Sequence, residues 1–386
     1  MEPSFYLKVF PFNDMPDQWL LFSLKKASII RVNEQVYSAF EIGKLSPQQE
    51  NLLVKMGMAV KDPFEEKRQM LGFFDRLNAG QTELHLIIVL NLDCNFDCIY
   101  CYEGDLKGKR YMAPEIADRL IGFIEENFAG KKNLRIDFYG GEPLLSLDLI
   151  KRISKAAKVY TDSIGATYRF NLVTNGSLFK RKIAEELSPL GLDRVRITID
   201  GPAETHNRSR PFKSGAGSFE TVINNIRETW DLGKIDIGGN FEQHNYGKFV
   251  SLLDYLMETG LTPEKIGAVK FDPVLPMPGD DFSMPEYHGG CASVNEPWIR
   301  EAELFLKEEI LKRGYRAQKI RPVACMVDVA DSLVIHFDGV IYKCPAFIGK
   351  KGFEVGHVDT GILDYSEIYK TDYWKNERCS DCIYLP

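Results

Sequence analysis

Between residues 83 and 280 the sequence alternates six times between a short apolar run and a following stretch, and this alternation restricts the fold more than any other feature. The apolar runs are "ELHLIIVLN", "NLRIDFYGG", "ATYRFNLVTNG", "DRVRITIDG", "KIDIGGNFE" and "KIGAVKFDPVLP". Between them lie amphipathic segments such as "APEIADRLIGFIEENFAG" and "SFETVINNIRETWDLG", whose apolar residues recur at helical spacing. Near-continuous apolar runs of this length are strands covered on both faces. Strands joined through helices run parallel. Six units fall short of a closed eightfold barrel, so the expected fold is α/β: a partial TIM-like (β/α)6 barrel over residues 81–280, open on one side. Functional residues in such barrels gather at the C-terminal ends of the strands.

The first of those ends carries "LNLDCNFDCIYCYEGD", residues 90–105, with Cys94, Cys98 and Cys101. The chain has eight cysteines, and the other five, Cys291, Cys325, Cys344, Cys379 and Cys382, fall in its last hundred residues. No run reaches the roughly 18 apolar residues of a membrane span. The start "MEPSFYLKVFPFNDMPDQW" has no basic segment leading into an apolar core. The chain therefore reads as cytoplasmic and not membrane-bound. In that compartment segregated cysteines are metal ligands sooner than disulfides. A net charge of −7 argues against a nucleic-acid partner. Three thiolates in C-x-x-x-C-x-x-C can hold three irons of a cubane cluster and leave the fourth iron open. Zinc is the rival, but a structural zinc asks for a fourth ligand, and no Cys or His lies nearby.

This spacing, at the end of the first strand of a βα repeat, resembles the radical S-adenosylmethionine (SAM) family. The resemblance implies a 4Fe–4S cluster on Cys94, Cys98 and Cys101 whose open iron binds SAM, with Tyr100 against the adenine. "FYGGEPLL" resembles the family's GGE motif, which assigns the SAM amino group to Gly140, Gly141 and Glu142, with Pro143 shaping the turn. "LVTNGSL" would bring Thr174 and Asn175 near the ribose or methionyl end. "ITIDGPAETHNRSRPF" would bring Asp200 into the barrel mouth and Arg210 to the SAM carboxylate, in an H-x-x-x-R element begun by His206; Arg208 is the substitute for Arg210. Gln243 and His244 end the fifth strand, either facing the adenine or serving the structure.

The C-terminal segment, 281–386, resembles the SPASM extension, which holds auxiliary 4Fe–4S clusters. Cys325, the Gly339-x4-Cys344 element and the Cys379–Cys382 pair match its pattern, and Cys291 is either a further ligand or a free thiol. Five cysteines cannot complete two cubanes, so one or two auxiliary clusters are expected, and the chain reads as stopping inside the motif. Pro345 after Cys344 departs from the sulfatase-maturing branch, which has Asp there.

Residues 1–80 read as a small unit of their own. "WLLFSLKKASIIRV" is a hairpin and "NEQVYSAFEIGKL" a helix. A second helix begins at Ser46 as N-cap, with Pro47 first in the helix and Gln49 closing a capping box. The unit resembles a winged-helix element that takes a leader peptide as an added strand.

Taken together, these resemblances imply a peptide maturase. It would cleave SAM to a 5′-deoxyadenosyl radical and install a thioether, C–C or C–O crosslink in a ribosomally made precursor. A reducing partner such as flavodoxin or ferredoxin would supply the electron. Formylglycine- or quinone-forming maturases and peptide epimerases stay open as alternatives. So does, from another class, a non-catalytic Fe–S protein that binds the precursor.

Overall fold

The computed structural model describes residues 1–101, 103–274, 296–318, 325–371 and 382–383. The chain divides into two compact units. The larger comprises residues 81–318 and 331–369; the smaller comprises 1–80 with 319–330 and 370–386.

The larger unit is a mixed α/β fold built on one sheet. Its first six strands are β1 (Glu83–Val89), β2 (Asn133–Tyr139), β3 (Thr167–Thr174), β4 (Leu192–Thr198), β5 (Lys234–Phe241) and β6 (Ile266–Pro273). All six fall on the apolar runs read from the sequence. They pair in parallel, each with its sequence neighbour. Its helices include α1 (Pro114–Asn127), α2 (Leu147–Ser163), α3 (Arg181–Leu187), α4 (Ala203–Ser209), α5 (Phe219–Thr229), α6 (Phe249–Glu258) and α7 (Pro297–Lys312). Among the described residues the sheet does not close on itself, which gives the open partial barrel of the TIM-like type.

Strand alternation separates two faces. Leu84, Leu86, Ile88, Leu134, Ile136, Phe138, Phe170 and Leu172 are buried, and Tyr168, of the same set, donates its hydroxyl to Ser154 of α2. That face meets the helices. The other, inner face is polar: His85, Asp137 and Asn171 stand side by side, with His85 Nε2 2.8 Å from Asp137 and Asn171 Nδ2 2.6 Å from it.

Two features were not legible in the sequence. The segment after β4 reads as a loop, but residues 203–209 form the short helix α4. The hairpin "SLVIHFDGVIYKC" does form, as β7 (Ser332–Ile335) and β8 (Val340–Tyr342). Its first strand, however, adds to the barrel sheet, parallel to β1, with Ser332 opposite His85 and Ile335 opposite Ile88. A local pattern of alternation cannot say which distant strand a hairpin will join.

The smaller unit holds a three-stranded antiparallel sheet, Leu7–Pro11, Gln18–Ser23 and Ser28–Asn33 in that order. The helices Glu34–Glu41 and Pro47–Lys55 follow. The capping box forms as read: Ser46 Oγ accepts from Gln49 N–H, and the Gln49 side chain accepts from Ser46 N–H at 2.9 Å. Leu21, Phe40, Leu53, Met58 and Ala59 make its core.

Candidate active site

The C-terminal ends of β1 to β5 carry a continuous polar network. The thiol loop leaves β1 at Leu90, and its backbone is pinned by the turn after β2. Gly141 N–H donates to Asn91 O at 3.0 Å and Glu142 N–H to Asp93 O at 2.7 Å. No side chain fits here. A Cβ on Gly140, whose φ is +120°, would stand 2.3 Å from Asn91 O, and one on Gly141 would stand 2.1 Å from Asp93 O. Asn91 closes the joint by donating to Glu142 O and to Ser146 Oγ.

Glu142 is fully buried. Its carboxylate accepts from Thr174 Oγ1 at 2.8 Å, from Asn175 N–H at 2.9 Å and from Leu144 N–H at 3.0 Å. Burial raises its pKa, and these donors oppose the rise. The side chain thus ties the end of β2 to the end of β3, while Pro143 is buried in the turn. Asn175 extends the tie to the thiol loop: its Nδ2 donates to Asn95 Oδ1 at 2.8 Å and lies 3.7 Å from Cys94 Sγ.

On the opposite side the loop is held by the chain after α4. Asp97 N–H donates to Pro211 O, Ile99 N–H to Ser209 O and Lys213 N–H to Asn95 O. Phe96 packs edge-on against Phe212, with ring centroids 4.9 Å apart. Asp93 accepts from Cys94 N–H, Tyr111 Oη and Lys213 Nζ.

Tyr100, Asp200 and Arg210 come together. The Tyr100 hydroxyl donates to Asp200 Oδ2 and accepts from Arg210 at 2.7 Å and from Asn240 Nδ2 at 2.9 Å. Asn240 N–H donates to Asp200 Oδ1 at 2.8 Å. Burial raises the Asp200 pKa, and the Arg210 charge works against it. His206 is fully buried and does not reach Arg210 through its side chain. Its Nδ1 accepts from Asp200 N–H, and its Nε2 is 3.0 Å from Ser218 Oγ. Burial, followed by the Arg210 charge, lowers its pKa to about 3, so the imidazole is neutral. Between the two candidate arginines the fold decides: Arg208 is exposed and Arg210 is buried. Gln243 and His244 are exposed, with His244 4.0 Å from Glu242.

Asn240 escaped the sequence reading. The signal was present, because alternation along β5 puts it on the inner face at the strand's C-terminal end, where Gln243 and His244 lie beyond the strand.

Cys94, Cys98 and Cys101 are all free thiols. Burial pushes Cys94 up to about 11 and raises Cys98 and Cys101. Protein surroundings alone therefore keep them protonated, and bound iron would supply the positive charge that thiolates need. The neighbourhood fits such a cluster with SAM. Cys98 is within electrostatic reach of both Cys94 and Cys101, although among the described residues no three ligand side chains stand converged on one point. Arg210, 9% exposed, has a buried Nε with no hydrogen-bond partner among the described residues, an unanswered donor suited to a carboxylate. Of the remaining cysteines, Cys325 is exposed and Cys344 and Cys382 are half-buried. Cys291 and Cys379 lie outside the described residues.

Residues 88–256 match the model of the Radical SAM superfamily. An uncharacterized protein of Methanocaldococcus jannaschii is 26% identical over 270 residues, which are 69% of this chain and 86% of that protein. A probable GTP 3′,8-cyclase of Pyrococcus horikoshii is 34% identical over 155 residues, 40% of this chain and 45% of the cyclase, so less than half of that enzyme is matched. Among solved structures, anSMEcpe with bound AdoMet and the Cp18Cys peptide superposes with a TM-score of 0.61 at 17% identity, over 78% of this chain and 87% of that one. Streptococcus suis SuiB superposes with a TM-score of 0.56 at 14% identity, over 100% of this chain and 94% of that one. At such identities the likeness is one of fold. The family model and the thiol loop it spans, seated at the strand ends of a partial barrel, agree: residues 88–256 carry a radical SAM domain.

Proposed function

We propose that the chain is a radical SAM peptide maturase that abstracts a hydrogen atom from a ribosomally made precursor and installs a crosslink, a thioether, C–C or C–O bond. When bound, the cluster and SAM supply, on one-electron reduction, a 5′-deoxyadenosyl radical able to take that hydrogen. The observation that carries the reading is Arg210. A guanidinium locked through Tyr100 to the thiol loop, with one buried donor left over, suits the carboxylate of SAM at that loop. Cys94, Cys98 and Cys101 would hold the cluster. Gly140 and Gly141 keep the turn close enough to the loop for their backbone to meet the amino group. Glu142, Thr174 and Asn175 hold the loop in register, and Asp200 and Asn240 hold Tyr100.

The peptide part of the reading rests on the smaller unit and on the fold shared with anSMEcpe, which was solved with a peptide. Strand Ser28–Asn33 pairs with Gln18–Ser23 alone among the described residues, so its outer edge offers backbone groups to a leader added as a strand. We assign residues 1–80 to leader recognition, 81–280 to the radical SAM barrel and 281–386 to auxiliary clusters. Cys325, Cys344 and Cys382, with Cys291 and Cys379, are the proposed ligands of those clusters. The proposed setting is the cytoplasm, with a flavodoxin or ferredoxin as reductant.

A nucleotide substrate, suggested by the cyclase relatives, is weighed by the inner face. On it Arg169 pairs with Glu83, Arg194 with Asp236 and Arg196 with Asp272, while Arg135 reaches Glu83 at 3.3 Å and keeps its buried Nε unanswered among the described residues. A polyanion would have to displace these acids, which favours a peptide. The test is mass spectrometry of the peptide encoded beside this chain after anaerobic incubation with reconstituted enzyme, SAM and reductant. Loss of two hydrogens supports a crosslink. An unchanged peptide alongside fresh 5′-deoxyadenosine refutes the crosslinking assignment for that peptide.

A further inference from the structure

The hairpin that extends the barrel sheet brings a histidine to the strand end from which the thiol loop departs. With Ile335 opposite Ile88, the register continues to His336 beside Val89. Ser332, Val334 and His336 alternate on one side of the strand. That side is the inner face, because Ser332 Oγ lies 3.1 Å from His85 Nδ1. The His336 ring also stands at right angles to Tyr342, diagonal to it across the hairpin, with centroids 6.2 Å apart.

His336 is 6% exposed, and its Nδ1 is 2.8 Å from Asp338 Oδ1. An ionised carboxylate only accepts, so in the neutral imidazole the hydrogen sits on Nδ1 and the lone pair on Nε2. That Nε2 is buried and has no hydrogen-bond partner among the described residues. An unanswered buried acceptor costs about 1–3 kcal/mol, and folded proteins keep few of them. Arg135 Nε and Asn171 Oδ1, on the same face, are also unanswered. They sit deeper in the sheet, at the levels of His85 and Ile87. His336 alone of the three is at the strand ends, where the site loops gather. A carboxylate behind an imidazole is an arrangement that orients the far nitrogen toward a proton donor or a metal. Among the described residues no further His, Cys, Asp or Glu joins His336 and Asp338 in a group that could hold a metal ion. A hydrogen-bond donor is then what Nε2 calls for.

We propose that His336 is a substrate-contacting residue: its Nε2 accepts a hydrogen bond from a backbone N–H or a side-chain hydroxyl of the peptide being modified. Asp338 is the positioning residue that fixes the tautomer. This inference rests on the peptide-maturase reading.

The experiment uses the reconstituted full chain under argon with the peptide encoded by the neighbouring short reading frame. His336→Gln is expected to lower kcat/KM for peptide modification by about 10- to 100-fold, the loss of one buried hydrogen bond. Iron content and melting temperature stay at wild-type values. Asp338→Ala removes the acceptor that holds the hydrogen on Nδ1, so it is expected to lose a similar factor. The double variant is expected to be no worse than His336→Gln alone. Full activity in His336→Gln overturns the proposal. So does a loss that tracks iron content or melting temperature, or additive losses in the double variant. If wild-type enzyme forms 5′-deoxyadenosine but leaves the peptide unchanged, the peptide-maturase reading fails for that peptide. The His336 assignment is still read without substrate, from the 15N shifts of histidine-labelled holoenzyme. A protonated Nε2 there, or a crystal structure with Nε2 satisfied by water alone while peptide is bound, refutes it.

Discussion

Replacing Gly141 with Ala tests how the site is held together. The new Cβ would lie 2.1 Å from Asp93 O, 2.6 Å from Asp93 C and 3.0 Å from Leu92 C. These are backbone atoms of the residues leading into Cys94, so no side chain can swing aside. Ordinary carbon–oxygen contact needs about 1 Å more than the first of these distances. The loop must retreat by that much, or the turn must. Either movement pulls Asp93 O from Glu142 N–H, now 2.7 Å away. Overpacking of this kind costs about 1–3 kcal/mol, and a broken buried hydrogen bond adds about 1–2 kcal/mol. A displacement near 1 Å at reacting groups costs about 100-fold in rate. The expected result is a lower iron content after anaerobic reconstitution and at least a 100-fold drop in 5′-deoxyadenosine formation. Gly104, in the same loop beyond Cys101, has nothing within 4 Å of its would-be Cβ, so Gly104→Ala is the control and is expected to keep its cluster. If Gly141→Ala keeps both iron and rate, the turn after β2 does not set the position of the thiol loop and the reasoning fails.

Other perturbations probe the remaining contacts. Glu142→Gln places an amide against donors that now meet a carboxylate; a loss of about 1–3 kcal/mol in denaturant unfolding is expected, with weaker cluster retention. Arg210→Lys keeps the charge but not the planar fork, and equilibrium dialysis is expected to show SAM binding weakened by about 10-fold or more. Cys98→Ala is expected to abolish SAM cleavage, read by chromatography of 5′-deoxyadenosine, while peptide affinity measured by anisotropy stays within twofold. His206 gives a pH signature. Its pKa of about 3 in the folded chain lies below the ordinary value near 6.5. The unfolded chain therefore takes up a proton below pH 6.5 that the folded chain refuses, and stability falls with pH from there toward 3. At pH 5 the loss from this group is about 2 kcal/mol, and His206→Gln is expected to remove that much of the wild-type difference between pH 7.5 and pH 5 in urea titrations.

The sequence carried most of the barrel because each strand is covered on its helix face and apolar enough to stand out, from Leu84–Leu86–Ile88 to Ile235–Ile237. It carried the thiol loop and the Gly-Gly-Glu turn because those residue types are rare in combination. What it could not carry were roles set by register. Glu142 reads as a ligand of the cofactor, but three donors from the turn after β2 and the end of β3 already surround its carboxylate. His206 and Arg210 lie four residues apart, yet the imidazole answers Asp200 and Ser218 while the guanidinium answers Tyr100, because α4 turns them to different neighbours. Asn240 and His336 have no motif at all. Each becomes visible only when parallel pairing sets its strand end beside another.

One physical requirement connects these residues. Three thiols that burial keeps protonated must be held on a loop with little secondary structure of its own, close to a cationic group that is itself buried. A loop so placed would fray unless its backbone groups were answered, since each unpaired one costs free energy. The chain answers them from both sides, with the turn after β2 and the segment after α4. It then uses Tyr100, Asp200 and Asn240 to hold Arg210 without exhausting its donors. The same logic explains why the inner face is polar while the helix face is not. Helices can cover apolar strands, but the mouth of an open barrel must admit a substrate, and its side chains stay paired to one another until one arrives. On that view Arg210 Nε and His336 Nε2, two of the buried groups left unanswered among the described residues, mark where the molecule expects its ligands.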